Sequence, residues 1–326
     1  NEPRRFMIQV WYPANPSPDA KHAPWMENAD IFAPAIADYL HLPGFFLDHL
    51  TLSKTPAFTG VPLAPTTEGY PVILFSHGWN GFASQNSGQA IELASHGYIV
   101  VGLQHTYGAR VTVFPDGTIA MNNPDALPSN TPEEEYDPLA RKLVNQWARD
   151  MGYALDFMET ENENPGSLFF QALDLEYVGV FGHSTGGGAT IQFCGSDPRC
   201  KAAVGLDPYM VPVSETVLDS GIPQPLFVMF SETFPSEKNT RLFEQLYSHQ
   251  PASDRVVTIL GTAHYDFSDL PLLSPIAPQL GLKGPLNGDR AFSIVKIYLL
   301  AFFDMTIKGQ PSTLFNGPST GFPEVV

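Results

Sequence analysis

The pentapeptide Gly182-His183-Ser184-Thr185-Gly186 follows an apolar run at 177–181 and leads into Gly187, Gly188 and Ala189. A serine on a sharp strand-to-helix turn, with glycine wherever a side chain would collide, offers its hydroxyl as a nucleophile for acyl transfer. A glycine-rich turn with a capping serine is the plainer alternative, and the strand and helix patterns on either side favour the nucleophile. Acyl transfer by serine also needs a base, a carboxylate that orients the base, and N–H donors for the oxyanion. Of nine histidines, His264 is the one beyond Ser184 that follows a predicted strand, and it is the expected base. His249, beside Gln250 and Pro251 near a predicted helix end, reads as a surface or capping residue.

Two carboxylates end predicted strands after the serine. Asp207 closes 202–206 and Glu232 follows 225–230, and position alone leaves both open as the acid. Asp254 precedes its strand and lies at the wrong end, while Asp266 reads as a loop cap. One oxyanion donor should be the N–H of Thr185, the residue after the serine. The other should come from Ser76-His77-Gly78-Trp79-Asn80-Gly81, with Trp79 the better candidate and Gly78 permitting the turn. His77 and His183 flank the site and read as structural groups bonded to loop backbone.

These residues must be carried by elements that bring strand ends together. Short apolar runs at 6–11, 71–76, 98–103, 177–181, 202–206, 225–230 and 256–260 have the composition of buried parallel strands. Helical patterns at 89–95, 139–159, 189–194 and 238–247 lie between most of them, and a last helix is expected over 289–308. Such alternation means an α/β fold, a mostly parallel central sheet with helices on both faces. The chain is expected to form one domain over 1–326. Two loop insertions, about 23–65 and 106–138, are expected over the carboxyl edge of the sheet.

Composition narrows the function. A formal charge of −17 with 17 Lys and Arg argues against nucleic acid and against electrostatic attraction to anionic membranes. No apolar run is long enough to span a bilayer. The chain starts at Asn1 rather than Met, reading as a mature or trimmed form in which a lost leader is neither seen nor excluded. The short polar loop between Cys194 and Cys200 allows a disulfide, with two free buried thiols as the alternative; a bridge would favour an extracytoplasmic location. Neither cysteine has the neighbours of a zinc site. Segment 24–50 carries Trp25, Ile36, Leu40, Phe45, Phe46 and Leu50. It reads as packing over the site, with weak contact to a lipid interface as the alternative; prolines at 24, 34 and 43 should cut its helices short.

Several segments together resemble the plasma-type platelet-activating factor acetylhydrolase family, within the α/β-hydrolase superfamily. They are 72–78, 92–100, 182–187, 206–207, 222–227 with Ser231-Glu232, and 261–267. The resemblance covers about 6–308. It implies Ser184, Asp207 and His264 as the triad, Trp79 and Thr185 as oxyanion donors, and no metal or cofactor. It also implies a small ester or lipid substrate, such as a short acyl ester or a phospholipid sn-2 acetyl group, and a secreted enzyme. Thr185 departs from the bulky apolar residue usual in the family, so the acyl pocket is expected to differ there. A cutinase-like polyester hydrolase or general lipase, with Glu232 as its acid, is the alternative enzyme. A catalytically silent binding protein on the same fold is the alternative from another class.

Overall fold

A computed structural model describes residues 3–234, 236–251, 255–272 and 277–326. In chain order the strands are β1 (Met7–Trp11), β2 (His22–Pro24), β3 (Lys54–Phe58), β4 (Tyr70–Ser76), β5 (Ile99–Gln104), β6 (Val111–Val113), β7 (Ile119–Met121), β8 (Leu173–His183), β9 (Cys200–Leu206), β10 (Leu226–Ser231) and β11 (Arg255–Ile259). The helices are α1 (Ala29–Tyr39), α2 (Ser87–Ser95), α3 (Glu133–Glu163), α4 (Thr185–Cys194), α5 (Glu215–Ser220), α6 (Glu237–Tyr247) and α7 (Gly288–Thr306).

Seven strands form one sheet in the order β1-β5-β4-β8-β9-β10-β11. From β5 to β11 every pairing is parallel. Alternation along the strands divides the core in two. Val72 and Leu74 of β4 face α3, α4 and α6, where Val144, Trp147, Met151, Ile191 and Leu246 are buried. Ile73 and Phe75 face α2 and α7, against Leu93, Tyr298, Leu299, Phe302 and Phe303. Helices therefore cover both faces, as parallel strands require. This is the α/β-hydrolase architecture. From β4 the chain winds outward to β5, then returns through α3 to β8 on the other side. That reversal opens a crevice at the carboxyl ends of β4 and β8, where such sheets bind ligands.

The edge strand departs from the sequence expectation. The run 6–11 was expected to be parallel, but β1 pairs antiparallel with β5, Val10 opposite Val101. An apolar run shows burial but not direction, and as an edge strand β1 needs no crossover helix. The two expected loops carry elements of their own. Segment 23–65 holds β2, α1, a 3₁₀ stretch at Gly44–Leu52 and β3. Here α1 continues through Pro34, because Phe32, Ala33, Ile36 and Ala37 bury one helical stripe. Segment 106–138 holds the β6–β7 hairpin and the first turn of α3, which starts at Glu133 after Pro132. Three glutamates in that first turn favour a helix start against the macrodipole, and Pro138 inside the helix conceals it in the sequence.

The first insertion packs as a third layer. Trp25, Phe32, Ile36, Leu47 and Leu50 bury against Phe82 and Val111. Asp269 fastens this layer to α2, accepting from Trp25 Nε1 at 3.0 Å and from the Gly88 N–H at 3.0 Å. Burial pushes the Asp269 carboxyl up to about 7, against the pull of these donors. Elsewhere Cys194, at the end of α4, is bonded to Cys200, at the start of β9.

Two outcomes follow from these fastenings. Closing so short a loop contributes about 2 kcal/mol, so replacing both cysteines by serine should lower urea-unfolding stability by about that amount without changing the fold. Asp269 holds its proton in the folded protein up to about pH 7, whereas an unfolded aspartate releases it near pH 4. Across that window the folded state binds more protons, so this group makes stability fall as pH rises from about 4 to about 7. Asp269→Asn should flatten that part of the stability–pH curve, measured by denaturant titration; an unchanged slope would contradict the assignment.

Candidate active site

The strand register aligns the groups of interest. Ser76 of β4 stands opposite Gly182 of β8, and His183 stands opposite Leu206 of β9. The residues that follow these strand ends therefore emerge side by side. Ser184 leaves β8 with φ 57° and ψ −122°, and α4 begins at the next residue. The turn is feasible only because Gly182 and Gly186 have no side chains: a Cβ on Gly182 would strike the Gly186 carbonyl, and one on Gly186 the Ser76 carbonyl. Backbone bonds hold the turn to β9, from the Ser184 N–H to the Leu206 carbonyl at 3.0 Å and from the Tyr209 N–H to the Ser184 carbonyl at 2.9 Å. Between Val178 and Cys194 every residue is buried except Ser184, which is half-open.

Asp207 is fully buried at the end of β9. Its carboxylate accepts from the Ser231 N–H at 2.8 Å, from Ser231 Oγ at 2.9 Å and from His264 Nδ1 at 2.7 Å. With the Nδ1 proton given to a carboxylate, the lone pair of His264 is on Nε2, the nitrogen a general base would use. The imidazole is held from several sides. Its ring stacks on Phe234 at 3.8 Å between centroids and lies 4.5 Å from the His183 ring. His183 Nε2 donates to the His264 carbonyl at 2.9 Å, and Gln85 Nε2 donates to His183 Nδ1 at 2.9 Å. Burial, and then the neighbouring His264, hold the His183 pKa well below its ordinary value, so this ring stays neutral and keeps that bonding pattern.

Other sequence-derived candidates go elsewhere. The Glu232 carboxylate accepts from the Gly261 N–H at 2.7 Å. It therefore holds the turn leading to His264, and no bond from it reaches the imidazole among the described residues. Asp266 accepts from the Ala263 and Gly284 N–H groups, the loop cap expected of it. His249 Nδ1 bonds the Gln245 carbonyl at the end of α6. Asp254 lies outside the described residues.

Trp79 and Thr185 supply unengaged N–H groups beside Ser184. Among the described residues neither finds an intramolecular acceptor. For Thr185 this is the ordinary state of the first helical N–H. Gly78 packs so tightly on the elbow that a Cβ there would stand 3.2 Å from Ser184 Cβ, which brings the Trp79 peptide up to the serine.

Ser184 and His264 share a cavity of about 60 Å³ walled by Ile36, Tyr39 and Leu40 of the α1 layer, with Trp79, Phe82 and Leu270. The reading of segment 24–50 as packing over the site anticipated this wall, Ile36 and Leu40 included, although Pro34 hid the full length of α1. Thr185 is buried and does not line the cavity, so the expected difference in the acyl pocket is not made by that side chain. A larger groove of about 370 Å³ lies along β1, β2 and β3 and holds none of these groups. A serine, an imidazole on a buried carboxylate and two idle N–H groups around one small cavity can carry out acyl transfer.

The family model for platelet-activating factor acetylhydrolase, isoform II, matches residues 1–309. A platelet-activating factor acetylhydrolase of Cavia porcellus is 33% identical over 317 residues, 90% of this chain and 71% of that protein. Cutinase est2 of Thermobifida alba is 28% identical over 140 residues, 43% of this chain and 35% of that protein. Among solved structures, the ferulic acid esterase from Streptomyces cinnamoneus superposes with a TM-score of 0.79 at 25% identity, over 98% of this chain and 88% of that one. The chain is thus a serine ester hydrolase and belongs to the platelet-activating factor acetylhydrolase isoform II family.

Proposed function

We propose that Ser184, His264 and Asp207 act as the catalytic triad, with the N–H groups of Trp79 and Thr185 as the oxyanion hole. Ser184 Oγ attacks the ester carbonyl while His264 Nε2 takes its proton. The same imidazolium then protonates the departing alkoxide. Water, deprotonated by His264, releases the acid and restores Ser184. Asp207 keeps the ring in the Nδ1–H tautomer and stabilises the imidazolium. The stacked Phe234 face adds a cation–π contribution in that charged state. The observation that carries this reading is the 2.7 Å bond between His264 Nδ1 and the buried Asp207 carboxylate, beside the half-open serine. The whole chain then works as one catalytic unit, its two insertions walling the site.

Substrates are short acyl esters, phospholipids with an sn-2 acetyl group among them. The small cavity beside Ser184, with α1 on one side, suits a small acyl group. Cutinase-like polyester hydrolysis is the second reading, favoured by the cutinase similarity over 43% of the chain. The bridge between Cys194 and Cys200 supports a secreted enzyme, since such bonds persist in oxidising compartments. No helix among the described residues is long and apolar enough to cross a membrane. The 3₁₀ stretch Gly44–Leu52, which follows the α1 wall, leaves Phe45 72% and Leu52 78% exposed. Exposed apolar side chains on the segment that follows α1 suit shallow contact with a lipid surface.

Ser184→Ala should abolish hydrolysis of p-nitrophenyl acetate and labelling by a fluorophosphonate. Asp207→Asn should lower kcat by about 10⁴, the scale of a triad whose histidine tautomer is wrong. Glu232→Gln should stay within about threefold of the parent, and the reverse order would transfer the acid role to Glu232. For the surface, Phe45→Asp with Leu52→Asp should reduce co-sedimentation with zwitterionic phosphatidylcholine vesicles while leaving kcat on a soluble ester unchanged. Equal sedimentation of parent and variant would remove the lipid contact.

A further inference from the structure

Beneath the turn that carries Trp79 lies a polar chain that starts at the exposed Arg4 and runs into the core. Arg4 Nε and Nη2 donate to the two oxygens of Asp150 at 2.7 Å each. Asp150, fully buried on α3, also accepts from His105 Nδ1 at 2.9 Å. Burial pushes the Asp150 carboxyl up, but the Arg4 and His105 donors outweigh it and bring the pKa to about 2, so Asp150 is a carboxylate. His105 therefore carries its proton on Nδ1, and its Nε2 accepts from Ser76 Oγ at 3.0 Å. Its ring lies flat on Trp147, 4.2 Å away and within 4° of parallel. A ring fixed on three sides also fixes its own backbone.

The backbone N–H of His105 points at His77 Nε2, 3.2 Å away. An amide N–H can only donate, so His77 Nε2 is unprotonated and the proton sits on Nδ1. That Nδ1–H donates to the Gly78 carbonyl at 2.7 Å. Burial and the adjacent His105 hold the His77 pKa at about 3, which keeps the ring neutral at any pH where the enzyme would work. In a trans peptide the C=O and N–H point in opposite directions. Holding the Gly78 oxygen down toward His77 therefore turns the Trp79 N–H the other way. The Gly81 N–H reaches the same carbonyl at 2.9 Å, so His77 is one of two anchors on it.

We propose that His77 is a positioning residue for the oxyanion hole: its Nδ1–H orients the Gly78–Trp79 peptide so that the Trp79 N–H faces the oxyanion. The chain Arg4–Asp150–His105 sets the His77 tautomer that makes this bond. The inference rests on the reading of Trp79 as an oxyanion donor and assigns the group that aims it.

The test compares three variants on p-nitrophenyl acetate. Loss of an oxyanion donor costs on the order of 10²–10³ in kcat, and His77→Ala misaims the donor rather than deleting it. His77→Ala should therefore lower kcat by about 10–100-fold with KM within about threefold. His77→Asn, whose amide nitrogen can replace Nδ1–H, should return kcat to within about fivefold of the parent. Trp79→Pro removes the N–H itself and should fall at least as far as His77→Ala. A large loss in Trp79→Pro with parental kcat in His77→Ala would overturn the role of His77 and leave the donor reading intact. Parental kcat in Trp79→Pro would instead overturn the donor reading. Should His77→Ala fail to fold, ¹⁵N NMR of the parent enzyme still decides. The Nδ1–H tautomer of His77 must persist from pH 5 to 9, and an Nε2–H tautomer or an imidazolium would overturn the proposal.

Discussion

Parallel register among β4, β8 and β9 is the constraint on which the site depends. With Ser76 opposite Gly182 and His183 opposite Leu206, three strands stop at one level. The chain leaving each strand delivers one part: a peptide N–H after β4, the serine after β8 and the carboxylate after β9. The sheet can reach this level only if the turns after it are packed almost to contact. Gly186 against the Ser76 carbonyl and Gly78 against Ser184 are where that contact occurs. A slip of one residue in any of the three strands would turn its last side chain to the opposite face. The reactive geometry is thus a property of backbone pairing, set before any side chain chooses a rotamer.

Burial then sorts the histidines. His77, His105 and His183 are enclosed, and burial lowers the pKa of each. They serve as neutral connectors, each with one nitrogen donating and the other accepting. His264 differs in having a partly exposed side chain and a buried carboxylate on Nδ1. Ser76, His105 and Asp150 repeat the Ser–His–Asp bonding pattern, yet all three are buried beyond reach of a substrate. Likeness of connectivity is therefore a poor guide to reactivity. Exposure is what separates Ser184 and His264 from Ser76 and His105.

The turn at Ser184, the position of His264 after β11 and the carboxylate at the end of β9 were legible because each rests on local sequence: glycines around a serine, or a polar residue closing an apolar run. The choice between Asp207 and Glu232 was not, since both satisfy the same local rule. It is the Ser231 backbone and hydroxyl, reaching across from β10, that turn the Asp207 carboxylate toward His264. The antiparallel direction of β1 was hidden for a similar reason, because pairing direction is a relation between distant segments. Proline misled the reading twice. Pro34 and Pro138 lie inside helices whose buried stripes, Phe32 with Ile36 and Val144 with Trp147, outweigh the loss of one backbone bond.

The first insertion bears on the site as well. Part of the cavity wall comes from α1, a helix packed on Phe82 and Val111 rather than on the central sheet. Its attachment to the enzyme core includes one buried carboxylate, Asp269, held by Trp25 on one side and α2 on the other. Ser184 and Asp207 thus follow strands of the central sheet, while one side of the cavity beside Ser184 belongs to a separately packed layer. A change within that layer alters the cavity without disturbing the register of β4, β8 and β9. The shape of the cavity and the register of the strands beneath it can therefore vary independently in this chain.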